Sequence, residues 1–178
     1  LKLKDGVTLN SAVICQPNGE IVIISSYGRA LKLKVNNDSL PIMGKLAQGA
    51  LTMRIFPGEM ILRAISSRKG DSNELILITR NGKIKKIDIR TIRECCRGDL
   101  GQILIDLDNS NKHFDRVVDI CNSNSIGSII TTEGRSARIT VSQFKEIEIN
   151  KTMTTLIDLK ENEYVEKFLP LINPETSS

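Results

Sequence analysis

Three pairs of basic residues recur along this chain, each with two residues between its members and each following a glycine. Arg29 and Lys32 follow Gly28, Lys83 and Lys86 follow Gly82, and Arg135 and Arg138 follow Gly134. More bases stand in the stretches between: Lys45 and Arg54, then Arg93 and Arg97. Cations repeated at such intervals neutralise anions and break no bonds. Groups that would break bonds lack a suitable setting. Tyr27 sits in a turn beside Gly28, and Tyr164 lies among acids. Asp106, Asp108, Asp115, Asp119, Glu146 and Glu148 read as solvated strand and loop positions, not as a general acid and base. Gly98-Asp99-Leu100-Gly101 has no Lys-Ser/Thr behind it, so it is no nucleotide loop. Cys15, Cys95, Cys96 and Cys121 form no CxxC pair, and His113 adjoins none of them. A tetrahedral zinc site needs two spaced ligand pairs. We therefore expect no metal and no cofactor, and we expect the thiols to be reduced and buried.

Composition narrows the class further. The 178 residues are 40% hydrophobic and 26% charged, which is the balance of a folded globular chain. Aromatics make up 3%, and Trp is absent, which argues against a platform that stacks single-stranded bases. No apolar run approaches the roughly 20 residues of a membrane span, and the start at Leu1 shows no signal-like pattern. A cytoplasmic protein, or a piece of one, is expected.

The elements that must position the bases repeat as well. Gly28, Gly82 and Gly134 stand 54 and 52 residues apart, and self-similarity at that period marks a repeat architecture. Each follows an apolar, β-branched run (Glu20 to Ile24, Glu74 to Ile78, Ile126 to Ile130), and alternation of apolar and polar residues follows each glycine. Two strands around a short Tyr-Gly, Asn-Gly or Glu-Gly turn form a hairpin, with glycine supplying the positive φ. Further strands should end at Ile55, Leu107 and Leu159, and others should cover Met60 to Ile65, Val117 to Cys121 and Tyr164 to Leu171. That is about four strands per unit with little room for helix. Four-stranded units at this period imply a radial all-β array, in which repetition protects sheet edges. The opening residues match the back half of a unit. The expected organisation is one domain over 1–178, with a half unit at 1–19 and units at 20–73, 74–125 and 126–178, cut from a longer protein.

These residues resemble the C-terminal β-pinwheel domain of the DNA gyrase A protein and of its topoisomerase IV counterpart. The most specific match is Tyr27-Gly28-Arg29-Ala30-Leu31-Lys32-Leu33-Lys34-Val35, followed by Leu40-Pro41-Ile42-Met43-Gly44-Lys45-Leu46-Ala47-Gln48-Gly49-Ala50. Weaker copies run from Asn81 to Ile89 and from Glu133 to Val141. The linked pattern covers essentially the whole chain. The resemblance implies a partial β-pinwheel, a propeller-like array of three to four blades of about four strands. It also implies a non-catalytic DNA-wrapping part of an ATP-dependent type II topoisomerase. The partners it implies are double-stranded DNA, an ATPase B subunit and the rest of the A subunit, with no membrane and no small-molecule substrate. Two departures stand out. The short Gly/Arg/Lys-rich box of gyrase is absent, and family domains have five or six blades. An upstream box, a parent closer to topoisomerase IV, and weakened wrapping all remain open.

Duplex DNA carries about one phosphate per 1.7 Å of axis, so a wrapping surface needs spaced cations. The expected DNA contacts are Arg29, Lys32, Lys45, Arg54, Lys83, Lys86, Arg93, Arg97, Arg135 and Arg138. Pair members three apart emerge on opposite faces of an ideal strand, so the first of each pair is placed in the turn. Near Lys45, Arg93 and Arg97, glycines let backbone N–H groups approach phosphate. Bending 20–30 base pairs by 40–90° costs about 1–6 kcal/mol, which phosphate neutralisation must exceed. Net charges of +1, +4, +1 and −2 for 1–19, 20–73, 74–125 and 126–178 predict the firmest grip in the first full unit. The competing reading is a protein-interaction module with an incidental basic rim, which the acidic last unit and the tail from Asn173 would suit.

Overall fold

A computed structural model describes residues 5–67, 73–107, 114–122, 126–140 and 153–171. Among these the chain is all-β apart from one 3-10 turn at Ile89–Thr91. The three apolar runs are the inner strands β1 (Glu20–Ser25), β4 (Glu74–Thr79) and β8 (Ile126–Thr131). Each turns back into a hairpin partner: β2 (Arg29–Lys34), β5 (Lys83–Asp88) and β9 (Ser136–Thr140).

The three hairpins share one register. The last strand pairs before the turns are Ile24 with Ala30, Ile78 with Ile84 and Ile130 with Ser136. Gly28, Gly82 and Gly134 have φ of 72°, 73° and 74°. Their N–H groups donate to the carbonyls of Ser25, Thr79 and Thr131 at 3.1, 3.1 and 3.0 Å. The first two loops therefore have three residues and end on a left-handed glycine, one residue longer than a two-residue turn, and the third continues one residue past its glycine. Arg29 and Lys83 open strands, and only Arg135 stays in the connecting segment.

The opposite edge of each inner strand is covered by β3 (Ile61–Ser67), β7 (Val117–Asn122) or β11 (Val165–Pro170). These match the last strand of each unit read from the sequence. The fourth strands have another origin. Short β6 (Gln102–Ile103) adds to β2, and β10 (Thr154–Thr155) adds to β5, so the sheet orders are β3-β1-β2-β6, β10-β5-β4-β7 and β11-β8-β9. A repeat thus lends its fourth strand to the sheet built by the repeat before it.

The chain divides into two compact units. One holds residues 1–73 and 89–106, and the other holds residues 74–88 and 107–178. The first is centred on Ile23, Leu31, Leu33 and Met53, with Leu40, Ile61 and Cys95 packed alongside. The second joins the β4 and β8 sheets through Ile76, Ile78, Ile84, Cys121, Ile129, Ile139, Val165 and Phe168. Each such side chain, fully buried, contributes about 1.5–3 kcal/mol. The alternation read into residues 29–35 does not survive as alternating exposure, because β2 is buried from Arg29 to Leu33. Residues 94–95 extend along its edge beyond β6, with Cys95 N–H donating to the Lys32 carbonyl at 2.9 Å. Of the thiols expected to be buried, only Cys121 is; Cys15 and Cys95 are half-buried, and Cys96 is exposed.

Candidate nucleic-acid interface

The first hairpin spends its leading cation internally. Arg29 is 5% exposed and bridges to Glu59, its Nε donating to Oε1 at 2.9 Å and its Nη2 to Oε2. Nη2 also reaches the Arg54 carbonyl at 3.0 Å, and Nη1 donates to the Leu100 carbonyl just ahead of β6. The guanidinium stacks 4.4 Å from the Phe56 ring centre. Glu59 in turn accepts from the Ser25 hydroxyl and from Phe56 N–H, the latter at 2.8 Å. Burial alone would push the Glu59 carboxyl up, but hydrogen bonds from Arg29, Ser25 and Phe56 outweigh it and hold its pKa below the usual range. One arginine thus ties the turn, the loop ahead of β3 and the borrowed strand into a single corner.

The third hairpin repeats this latch. Thr131 Oγ1 and Arg135 Nε donate to Glu163 Oε1 at 2.6 and 2.7 Å, and Arg135 Nη2 reaches the Asp158 carbonyl at 2.9 Å. Lys160 N–H donates to Glu163 Oε2 at 2.9 Å. That backbone bond and the Thr131 hydroxyl, followed by Arg135 and opposed by burial, hold the Glu163 carboxyl at a pKa of about 2. Both glutamates sit one residue past a left-handed position, Gly58 with φ 78° and Asn162 with φ 62°, in a turn closed by glutamate N–H.

The second hairpin lacks the latch. Asp115 stands where the glutamates do, but its Oδ1 accepts from Asn81 and Arg116 N–H at 3.0 and 2.9 Å. Lys83 replaces the arginine, and its side chain is exposed with no ion pair among the described residues. A lysine has no planar fork to bind several carbonyls at once, and an aspartate is one methylene short.

The second cation of each pair shows the complementary pattern. Lys32 is 7% exposed and lies 3.6 Å from Glu20, while Lys86 lies 2.9 Å from Glu74. In the third hairpin Ile126 occupies the corresponding acidic position, and Arg138 is exposed with no ion pair among the described residues. Of the six hairpin cations, Lys83 and Arg138 therefore present charge that no carboxylate among the described residues compensates, Arg135 is half-exposed, and Arg29, Lys32 and Lys86 are neutralised by the fold. Lys45, Arg54, Arg93 and Arg97 are exposed on connecting segments. Sequence reasoning missed Glu59 and Glu163. Their signal was a shared offset, each two residues ahead of a covering strand and preceded by Gly or Asn.

The sequence profile of the family described as "DNA gyrase C-terminal domain, beta-propeller" matches residues 73–120 and 129–171, just over half of the chain. The DNA gyrase A protein of Helicobacter pylori is 23% identical over 156 residues, covering 88% of this chain and 19% of that protein. Its counterpart in Borrelia hermsii is 28% identical over 101 residues, covering 57% of this chain and 12% of that protein. The chain thus spans less than a fifth of these relatives. Among solved structures, a DNA gyrase A C-terminal domain superposes with a TM-score of 0.73 at 18% identity, covering 97% of this chain and 57% of that one. The C-terminal domain of a DNA topoisomerase IV superposes with a TM-score of 0.72 at 17% identity, covering 87% and 47%. The fold is that of these β-pinwheels. No helix among the described residues is long and apolar enough to cross a membrane.

Proposed function

The chain belongs to the DNA gyrase C-terminal β-propeller family, and from that footing we propose that it binds and bends duplex DNA through phosphate contacts. The observation that carries this reading is the charge of Lys83 and Arg138, uncompensated among the described residues, which recurs at hairpin positions whose siblings are neutralised. Lysine and arginine ends held in water bind phosphate by releasing counterions, with no need for base readout. Lys45, Arg54, Arg93 and Arg97 extend the contact set, and Arg135 joins it with its half-exposed face. Arg29, Lys32 and Lys86 serve differently. To touch phosphate each would surrender a carboxylate partner, so they hold the strands and loops that carry the outward cations.

In this reading the chain is the non-catalytic, DNA-wrapping part of the A protein of a cytoplasmic type II topoisomerase. The parent works with an ATPase B subunit, and the wrap feeds a neighbouring DNA segment to the cleavage core. A mobility-shift titration on linear duplex at several salt concentrations tests it. Binding that weakens steeply with salt and is indifferent to sequence is expected. No shift at low salt would overturn it in favour of a protein-interaction module.

A further inference from the structure

The residue that follows each inner strand behaves alike in the first and third repeats and differently in the second. Ser26, Arg80 and Thr132 all donate a backbone N–H to the residue leading into the covering strand. They reach the carbonyls of Met60, Arg116 and Tyr164 at 2.8, 2.8 and 2.9 Å. Ser26 and Thr132 also accept, their hydroxyls taking the N–H groups of Met60 and Tyr164 at 3.0 and 3.1 Å. An arginine side chain has no acceptor. Arg80 instead crosses to the third repeat. Its carbonyl accepts from Val165 N–H at 2.8 Å, and its guanidinium lies 3.7 Å from the centre of the Tyr164 ring. Arg29, by contrast, stacks on Phe56 within its own repeat.

A second tie joins the same two repeats further along β11. Phe168 N–H donates to Asp119 Oδ2 on β7 at 3.0 Å. The pairing of β11 with β8 shifts register between Val165 and Lys167, beside both N–H groups that turn to the second repeat. By its ladder β11 belongs to the third sheet, and through Arg80 and Asp119 it is fastened to the second. What it fastens are the two outward cations. The turn that begins at Arg80 ends on Gly82 and presents Lys83, while β11 pairs with β8, whose partner β9 carries Arg138. The second hairpin is also the one without an arginine–glutamate latch, its Asp115 being turned to Asn81 and Arg116 N–H.

We propose that Arg80 and Tyr164 are positioning residues for duplex binding, their stack holding Lys83 and Arg138 in a fixed relation to one another. The inference rests on the phosphate-binding reading above. Neither residue touches DNA in this role. A cation already held in place loses less freedom on binding than one on a loose turn, so the stack raises affinity without adding a contact. Affinity and salt dependence therefore separate, because the log–log slope counts the phosphates neutralised. A cation–π contact between half-buried side chains supports an effect of roughly two- to fivefold.

Tyr164→Leu removes the ring without changing the charge of the protein, and Tyr164→Phe keeps the ring. Each is titrated against linear duplex at several salt concentrations, with urea unfolding of the same samples alongside. Tyr164→Leu should bind roughly two- to fivefold more weakly than the unmodified chain at an unchanged slope, and Tyr164→Phe should bind as that chain does. Arg80→Gln should reproduce the Tyr164→Leu loss, and the two changes together should lose no more than either alone. If Tyr164→Leu fails to fold, Arg80→Gln, at a half-buried side chain, carries the test. A slope lowered by about 0.9 in Arg80→Gln would make Arg80 itself a phosphate ligand and overturn the positioning role. Full affinity in Tyr164→Leu, with only its urea midpoint lowered, would overturn it too and leave the stack a structural contact. An unmodified chain that binds no duplex would instead remove the phosphate-binding reading, and this inference with it.

Discussion

The first and second hairpins have the same turn, the same register and a cation at the same place, yet they use that cation in opposite ways. Arg29 binds a glutamate two residues ahead of the covering strand and disappears into the fold; Lys83 has an aspartate at the equivalent position, turned to backbone N–H groups, and remains in water. The third hairpin divides the roles differently, with the latch at Arg135 and the exposed charge at Arg138. A recurring basic residue is thus no measure of a recurring function. The carboxylate partner decides which cations are structural and which face outward.

The largest expected effect comes from breaking the first latch. Glu59→Ala leaves a buried guanidinium without its counter-charge, which costs about 3–5 kcal/mol, read from urea unfolding. Glu163→Ala in the third hairpin should cost less, because Arg135 can reach water. Equal losses would show that the two latches are equally buried in solution. A smaller contrast is expected at the turn glycines. Gly134→Ala meets only the positive-φ penalty of about 1–2 kcal/mol, whereas Gly28→Ala also drives a Cβ into Ile105 and should lose visibly more in the same unfolding assay.

The pH response sharpens the comparison next. A carboxyl at about 2 when folded and near 4.5 when unfolded contributes stability that is present above 4.5 and disappears as pH falls toward 2. The unfolding midpoint should therefore drop across that window, and Glu163→Gln should flatten the drop. An unchanged slope in that variant would assign the acid sensitivity to other carboxylates.

Much of the fold was legible because its signals are local. The β-branched runs at Glu20, Glu74 and Ile126, and the glycines that follow them, mark the hairpins and their spacing without any tertiary information. The exchange of β6 and β10 was not legible, since nothing in Gln102-Ile103 or Thr154-Thr155 says which sheet they join. Register between repeats is set by packing against Gly28 and Gly82. The candidate cations were legible as a set but not by fate. Arg29 and its partner Glu59 lie 30 residues apart, and the strand expectation of alternating faces fails where residues 94–95 cover β2. The expected strongest grip in the first unit rested on net charge; the internal pairs of Arg29 with Glu59 and Lys32 with Glu20 cancel within that sum and leave it at +4, but they withdraw two of its cations from the surface.

The central claim, that Lys83 and Arg138 bind phosphate while Lys32 and Lys86 do not, has one direct measurement. The duplex-binding constant is followed against salt for Lys83→Gln/Arg138→Gln and for Lys32→Gln/Lys86→Gln. The first double variant should lower the log–log slope by about 0.9 per lost contact, close to two in all, and the second should leave it unchanged. A steeper loss for the Lys32 and Lys86 pair, or none for Lys83 and Arg138, would contradict the account.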